Sequence, residues 1–301
     1  MFSKKKPFIS MKIIQKYELA AKAKNPVNIG IGIGDNENQN QKILKASLTF
    51  LKKFKSNLFF FGKKDYKNSL IKQTPKSKVN TKIKYIDCEI PEKSIIDFLI
   101  RDNIHSIVRG SISSNKFLNH LKKKLNNNEI HRLAILETFT GDQFFYGPVG
   151  IDECNNLNKK RTYIELALKE LRKVEITPKI SILSGGRLGD VGRDSKIDQL
   201  IQDGDEIVKL FKDRYSNLMI SHDEILIENA VESKSNLIIA PDGVSGNLIY
   251  RTLVHLGGGK AYGAIYMGIP RTIIDTSRVG NQSEIYGALI LALALSNESD
   301  F

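Results

Sequence analysis

The sequence predicts an α/β protein with a largely parallel sheet. Short apolar runs alternate with amphipathic segments along nearly the whole chain, the pattern of strands joined by helical crossovers. The longest apolar run, YGALILALAL from Tyr286 to Leu295, is well short of the roughly 20 residues that span a bilayer, so it reads as a buried helix. A length of 301 residues suggests two domains at roughly 100–200 residues each.

The predicted strands are, in order, VNIGIGIG, NLFFF, IKYIDC, SIVRG, RLAILETF, QFFYGPVG, KISIL, NLIIA and AYGAIYMG. NQNQKILKASLTFLKKF reads as the helix after the first strand, and PEKSIIDFLIRD opens with Pro91, which suits a first helical turn. In SSNKFLNHLKKKL, Ser114 is placed to cap, with Phe117, Leu118, Leu121 and Leu125 on one face. Ser195 and Asp198 have the spacing of a capping box, and Ile197, Leu200, Ile201, Ile207, Val208 and Phe211 recur on one face behind them.

Composition narrows the function. Hydrophobic residues at 41% and charged residues at 26% are ordinary for a globular chain. Cys88 and Cys154 form no CxxC pair, and the start MFSKKKPFISMKII lacks a secretory apolar stretch, so a cytoplasmic protein without a cysteine-ligated metal is expected. The net charge of +13 is concentrated early, with 28 Lys/Arg against 12 Asp/Glu in residues 1–150 and 18 against 21 afterwards. These are scattered lysines without Arg–aromatic interleaving, as in FGKKDYKNSLIKQTPKSKVNTKIKY. A solvated face that steers anions is therefore favoured over nucleic-acid binding. Five histidines show no HExxH or i, i+4 pair, so no metal is expected; His222 in ISHDEILIENA reads as structural.

Three loops concentrate chemistry. LSGGRLGDVGRD follows the run KISIL and precedes a helix start, where unpaired N–H groups favour an anion; Ser184, Gly185, Gly186, Arg187 and Gly189 are the candidate contacts. APDGVSGNLIYRTL offers Asp242, Gly246 and Asn247 directly after NLIIA. TSRVGNQSE puts Ser277, Arg278 and Glu284 within eight residues: a hydroxyl, a guanidinium that can hold an oxyanion bidentately, and a carboxyl able to take a proton. Glu284 could equally complement the helix that starts there. NIGIGIGDN suggests either a strand whose glycine face packs closely or a site for S-adenosylmethionine; FGKKD after the next strand supplies no acid for a ribose.

SILSGGRLGDVGRD, IIAPDGVSGNLIYRTLVHLGG and IIDTSRVGNQSEIYGALILALA, in this order, resemble the phosphate acetyltransferase and phosphate butyryltransferase family. IGIGDNENQNQKILKAS, IVRGSISSNKFLNHL and LAILETFTGDQFFYGPVGID extend the resemblance more weakly upstream. Within that superfamily the chain is most similar to the MtxX family of archaeal methanogenesis marker proteins, labelled methyltransferase subunits.

The resemblance implies two Rossmann-like three-layer domains around a cleft, residues 1–142 with 271–301 and residues 143–270, in the manner of phosphate acetyltransferase and isocitrate dehydrogenase. It further implies that Ser277 and Arg278 bind a phosphoacyl group and that Glu284, standing near the family's aspartate, helps deprotonate the coenzyme A thiol. Asp242, Gly246 and Asn247 match the family's D-x-x-x-G-N turn, and Arg251 replaces a lysine usual in the acetyltransferases.

A transferase is therefore expected, acting on an anionic small molecule with coenzyme A or a methanogenic methyl carrier as co-substrate. The resemblance also implies a homodimer, alone or within a methyltransferase complex. A catalytically inactive metabolite-binding or assembly protein is the alternative.

Overall fold

The computed structural model describes residues 11–73 and 82–296; the basic start at 1–10 and part of the lysine-rich stretch, 74–81, lie outside the described residues. The first half runs α1 (Ile13–Ala23), β1 (Asn28–Gly32), α2 (Glu37–Lys53), β2 (Asn57–Gly62), α3 (Lys64–Gln73), β3 (Ile83–Asp87), α4 (Pro91–Ile100), β4 (Ser106–Val108), α5 (Ser114–Leu125) and β5 (His131–Glu137). The second runs β6 (Gln143–Gly147), α6 (Leu157–Lys173), β7 (Lys179–Ile182), α7 (Ser195–Arg214), β8 (Met219–His222), α8 (Ile227–Glu232), β9 (Leu237–Ile239), α9 (Gly243–His255) and β10 (Lys260–Met267). The chain then returns through β11 (Thr272–Asp275) and α10 (Gln282–Leu295).

These strands form one sheet in the order β3-β2-β1-β4-β11-β10-β5-β6-β9-β7-β8. From β3 to β11 every pair is parallel, as is every pair from β6 to β8. Only the β11–β10, β10–β5 and β5–β6 pairs at the centre are antiparallel. The parallel blocks are wholly buried in places, which is why NLFFF and NLIIA read as continuous apolar runs. We propose residues 1–142 with 271–301 and residues 143–270 as two regions of this continuous sheet, interleaved where β10 lies between β11 and β5.

Helix α10 is apolar all round, and Ile285 and Gly287–Ala294 are buried, as such a helix requires. It lies against β10, α2 and α1. Pro91 opens α4 as expected, but two caps differ from expectation. Ser113 caps α5, accepting from Lys116 N, because Ser114 is already helical. Asp194 caps α7, its Oδ1 accepting from Lys196 N at 2.9 Å and Ile197 N at 3.2 Å. The Ser195–Asp198 box does not form: Ser195 is in the first turn, and Asp198 accepts from Gly192 N at 2.8 Å, folding the loop onto the helix. Strand β8, MISH, is short and half polar, and the sequence pattern does not show it.

The glycines of β1 have steric reasons. A Cβ on Gly30 would lie 2.5 Å from the Ile104 side chain, and Cβ atoms on Gly32 and Gly34 would strike the carbonyls of Arg109 and Ser111. The close-packed-strand alternative accounts for all three.

Gly287 makes the same point on α10, since a Cβ there would fall 2.7 Å from Tyr262 Cα, which is backbone and cannot rotate away. Gly287→Ala should destabilise the protein by about 1–3 kcal/mol despite alanine's better helix propensity, read as a lower urea midpoint at unchanged m-value.

Candidate functional site

Strand β11 ends at Asp275, whose carboxylate is buried between two guanidiniums. Arg109, at the end of β4, pairs through Nε with Asp275 Oδ1 and donates from its terminal nitrogens to the carbonyls of Thr276 and of Ile112, the latter at 2.7 Å. Arg132, on β5, reaches Asp275 Oδ2 at 3.3 Å and Glu153 Oε1 at 2.8 Å. Burial acts to raise the Asp275 carboxyl, but Arg109 and Arg132 outweigh it and hold the group below the usual carboxylate range. Glu153 faces one guanidinium only, and burial wins, pushing it up.

The loop after β11 is fixed on this base. Glu284, in the first turn of α10, turns back so that Oε1 accepts from Ser277 N at 2.6 Å and from the Tyr250 hydroxyl at 3.2 Å. Its other oxygen, Oε2, is buried without a partner among the described residues. Burial pushes this carboxyl up to about 7, against the hydrogen bonds from Ser277 and Tyr250, which lower it.

Glu137, in a less desolvated position, shows the effect of full pairing. Lys260, Gln143 and Tyr262 donate to it at 2.9, 2.6 and 3.0 Å and Lys12 at 3.3 Å; they overcome burial and hold it at about 2. Glu284 is thus a nearly neutral-pH acid because deep burial outweighs the two hydrogen bonds that it accepts.

Ser277 and Arg278 lie beside it. The Ser277 hydroxyl oxygen accepts from Val279 N at 3.3 Å and, among the described residues, its proton is uncommitted, while Arg278 is exposed and meets only Asp35 of them, at 3.6 Å. Together with Glu284, Asn247, Tyr250 and Arg251 they line a cavity of about 350 Å³, floored by Arg109, Arg132 and Asp275. A second cavity, about 500 Å³, opens at the ends of β1 to β4 and shares Arg278.

The other expected residues are placed differently. Asp242 caps α9, accepting from Ser245 N at 2.8 Å, and a Cβ on Gly246 would strike the Pro148 carbonyl; of that turn only Asn247, which donates to Val149 O at 2.8 Å, lines the cavity.

In the glycine-rich loop, Gly185 and Gly186 make room for Leu200 and Ile197 of α7. Arg187 N donates to Asp190 Oδ2 at 2.9 Å, and Asp190 pairs with Arg193 at 2.6 Å. Gly189 stands in open space. Ser184 is buried, donating to Gly186 O and bonded to His222 Nε2, both at 2.9 Å; His222 Nδ1 in turn meets Asp205 at 2.7 Å, a structural tie between β7, β8 and α7. None of residues 184–194 lines the cavity of Ser277, Arg278 and Glu284, so two of the three expected loops meet there, not three.

Arg109, Arg132, Asp275 and Tyr250 are functional neighbours that the motifs did not single out. The available signal was a charge at the end of a buried strand: Arg109 in SIVRG and Asp275 in RTIID.

A largely parallel α/β sheet with a strand-end SR loop, a helix-start acid and a D-x-x-x-G-N turn defines an α/β class of protein with a cavity at its strand ends, and comparison with known proteins gives its family. The phosphate acetyl/butaryl transferase family model matches residues 121–293, and the chain belongs to that family. More narrowly, it falls with "Putative methyltransferase mtx subunit X" of Methanosarcina mazei, 42% identical over 220 residues covering 73% of this chain and 77% of that protein. The Methanosarcina barkeri protein of the same name is 40% identical over 73% and 79% of the two chains.

Among solved structures, a branched-chain phosphotransacylase from Enterococcus faecalis superposes with a TM-score of 0.65 at 15% identity, over 89% of this chain and 98% of that one. The EutD phosphotransacetylase of Staphylococcus aureus gives 0.64 at 16% identity over 93% and 98%, a likeness of fold. Among the described residues no helix is long and apolar enough to cross a membrane.

Two stability predictions follow from the buried charges. Asp275→Asn strands the buried Arg109 guanidinium without a carboxylate, while Arg132 keeps Glu153, and should cost about 3–5 kcal/mol in urea unfolding. For Glu284 the folded carboxyl holds its proton from its usual 4.5 up to about 7, so the folded state binds more protons than the unfolded one across that window. The stability due to the protonated carboxyl is present below pH 4.5 and is lost as pH rises through 7. Wild type should lose up to about 3 kcal/mol relative to Glu284→Gln between pH 4.5 and 8, measured by paired urea titrations.

Proposed function

We propose that the cavity at Glu284 is the seat of a group transfer from an anionic donor to a nucleophile. The observation that carries this reading is the buried Glu284 carboxyl with an unpartnered oxygen, in one cavity with an uncommitted hydroxyl and two exposed guanidiniums. Arg278, Arg251 and the Ser277 hydroxyl would hold the donor's phosphate, with the planar Arg278 fork facing two of its oxygens. A thiol entering through the cavity at the ends of β1 to β4 would reach the donor at Arg278, which lines both spaces.

In the acyl form of this reaction the thiol proton passes to Glu284 Oε2 and sulfur forms a bond to the acyl carbon. The carbon–oxygen bond to phosphate then breaks, and phosphate leaves with the electron pair under the charge of Arg278. Glu284 suits this step because a base titrating near 7 is ionised at neutral pH yet basic enough to assist thiolate formation. Arg109 is already turned to Asp275 and backbone carbonyls, and Arg132 through Nε and Nη1 to Glu153 and Asp275, so the donor's phosphate is assigned to Arg278 and Arg251 instead.

The printed name of the Methanosarcina relatives favours a second form, in which the group moved is a methyl and the co-substrate a methyl carrier. The same carboxyl would take the acceptor's proton.

Formation of a thioester from short-chain acyl phosphate and coenzyme A, set beside methyl transfer from carrier cofactors, separates the two forms; binding of the anion without turnover in either would point to a metabolite-binding role. In whichever assay is positive, the rate should rise with pH through about 7 as Glu284 ionises. Glu284→Gln should lower kcat by roughly 10²–10⁴-fold and remove that limb, with Glu284→Asp retaining it. A pH-independent rate in wild type would sink the role given to Glu284.

A further inference from the structure

Arg278 already has a carboxylate in front of it. We infer that Asp35 is the counter-ion a substrate anion must displace from Arg278, and that it therefore sets how strongly anions are held at this site. The inference rests on the reading of Arg278 as the anion contact.

Asp35 is placed rather than incidental. It follows β1, and the backbone on both sides of it is fixed: Gly34 N donates to Ser111 Oγ at 2.7 Å, Gly34 O accepts from Asn40 Nδ2 at 2.9 Å, and Asn36 caps α2 by accepting from Gln39 N at 3.0 Å. The same helix start grips the loop that carries Arg278, through Gln39 Nε2 to Gly280 O at 3.2 Å. Two loops from distant parts of the sequence are thus tied together, with the Asp35 carboxylate 3.6 Å from Arg278 Nη2 as a consequence.

The pair is weak by construction. At 3.6 Å, with side chains 54% and 71% exposed, it is a solvent-screened contact that contributes little to the fold. Its effect falls on the ligand instead. A phosphate taking the guanidinium must separate it from the carboxylate and then remain within a few ångströms of that negative charge, because the pinned backbone limits how far Asp35 can retreat. The carboxylate also lines the cavity through which the nucleophile is proposed to enter, so repulsion acts on any anionic group arriving from that side. Arg251, which has no such partner among the described residues and lines the same cavity, would hold the phosphate beside it.

Calorimetric titration with inorganic phosphate tests this. Asp35→Asn should bind phosphate about 3- to 10-fold more tightly than wild type at low ionic strength, and most of that gain should vanish near 1 M salt, where the screening length is only about 3 Å. Asp35→Glu, which keeps the charge, should bind like wild type. In an Arg278→Ala background the Asp35→Asn gain should disappear, since the two residues act as one pair.

Wild type that binds phosphate with Asp35→Asn no tighter overturns the inference while leaving the anion site standing, and so does a gain that survives without Arg278. Failure of wild type and Asp35→Asn alike to bind phosphate overturns the anion reading of Arg278 and the counter-ion role with it.

Discussion

The Arg109–Asp275–Arg132–Glu153 set is the constraint on which the rest of the site depends. Arg109 stands at the end of β4 and Asp275 at the end of β11, while Arg132 opens β5 and Glu153 follows β6. Two positive and two negative side chains are removed from water together, so the group is balanced, and its contribution lies in what it forbids: loss of any member leaves a buried charge uncompensated. Because the four come from strands on both sides of β10, they fix the register between the two parallel blocks at the place where the sheet changes direction. Asp275 also accepts from Thr276 N at 3.0 Å, so the clamp reaches into the loop that holds Ser277 and Arg278.

That balance explains how a carboxyl beside two arginines can nevertheless titrate near neutrality. Arg109 is engaged by Asp275 and main-chain carbonyls and Arg132 by Asp275 and Glu153, and what Glu284 feels from Arg109 is opposed by Asp275. Desolvation is then the dominant influence. The contrast with Glu137 combines two causes: the less desolvated carboxyl with four side-chain donors is pulled down to about 2, while the fully desolvated one, with a backbone N–H and a tyrosine hydroxyl on one oxygen, stands at about 7. Pairing and depth together separate the structural carboxylate from the candidate base.

The fold class was legible because alternating apolar runs and amphipathic stretches report burial directly, and Phe117, Leu121, Ile201, Ile207 and Phe211 all face the core as their spacing requires. The caps were off by one residue at Ser113 and Asp194 because several small polar residues stand in a row there, and only backbone dihedrals select among them. Ser277, Arg278 and Glu284 were legible as a cluster, being close in sequence. Arg109, Arg132 and Tyr250 were not, since 166 residues separate Arg109 from Asp275 and no local pattern records a pairing set by strand order.

The glycine-rich loop shows the limit of reading chemistry from composition. Glycines, arginines and aspartates after a strand describe a phosphate cradle, and they also describe a turn that packs against its own helix and neutralises its own charges. Here Gly185 and Gly186 admit Leu200 and Ile197, Asp194 takes the helix N–H groups that an anion would need, and Asp190 occupies Arg193. The same test applied to the SR loop gives the opposite result. Arg278 keeps only a distant, exposed partner, Ser277 keeps its proton and Glu284 keeps an empty oxygen. Unused hydrogen-bonding capacity, rather than residue type, is what separates the SR loop from the glycine-rich loop.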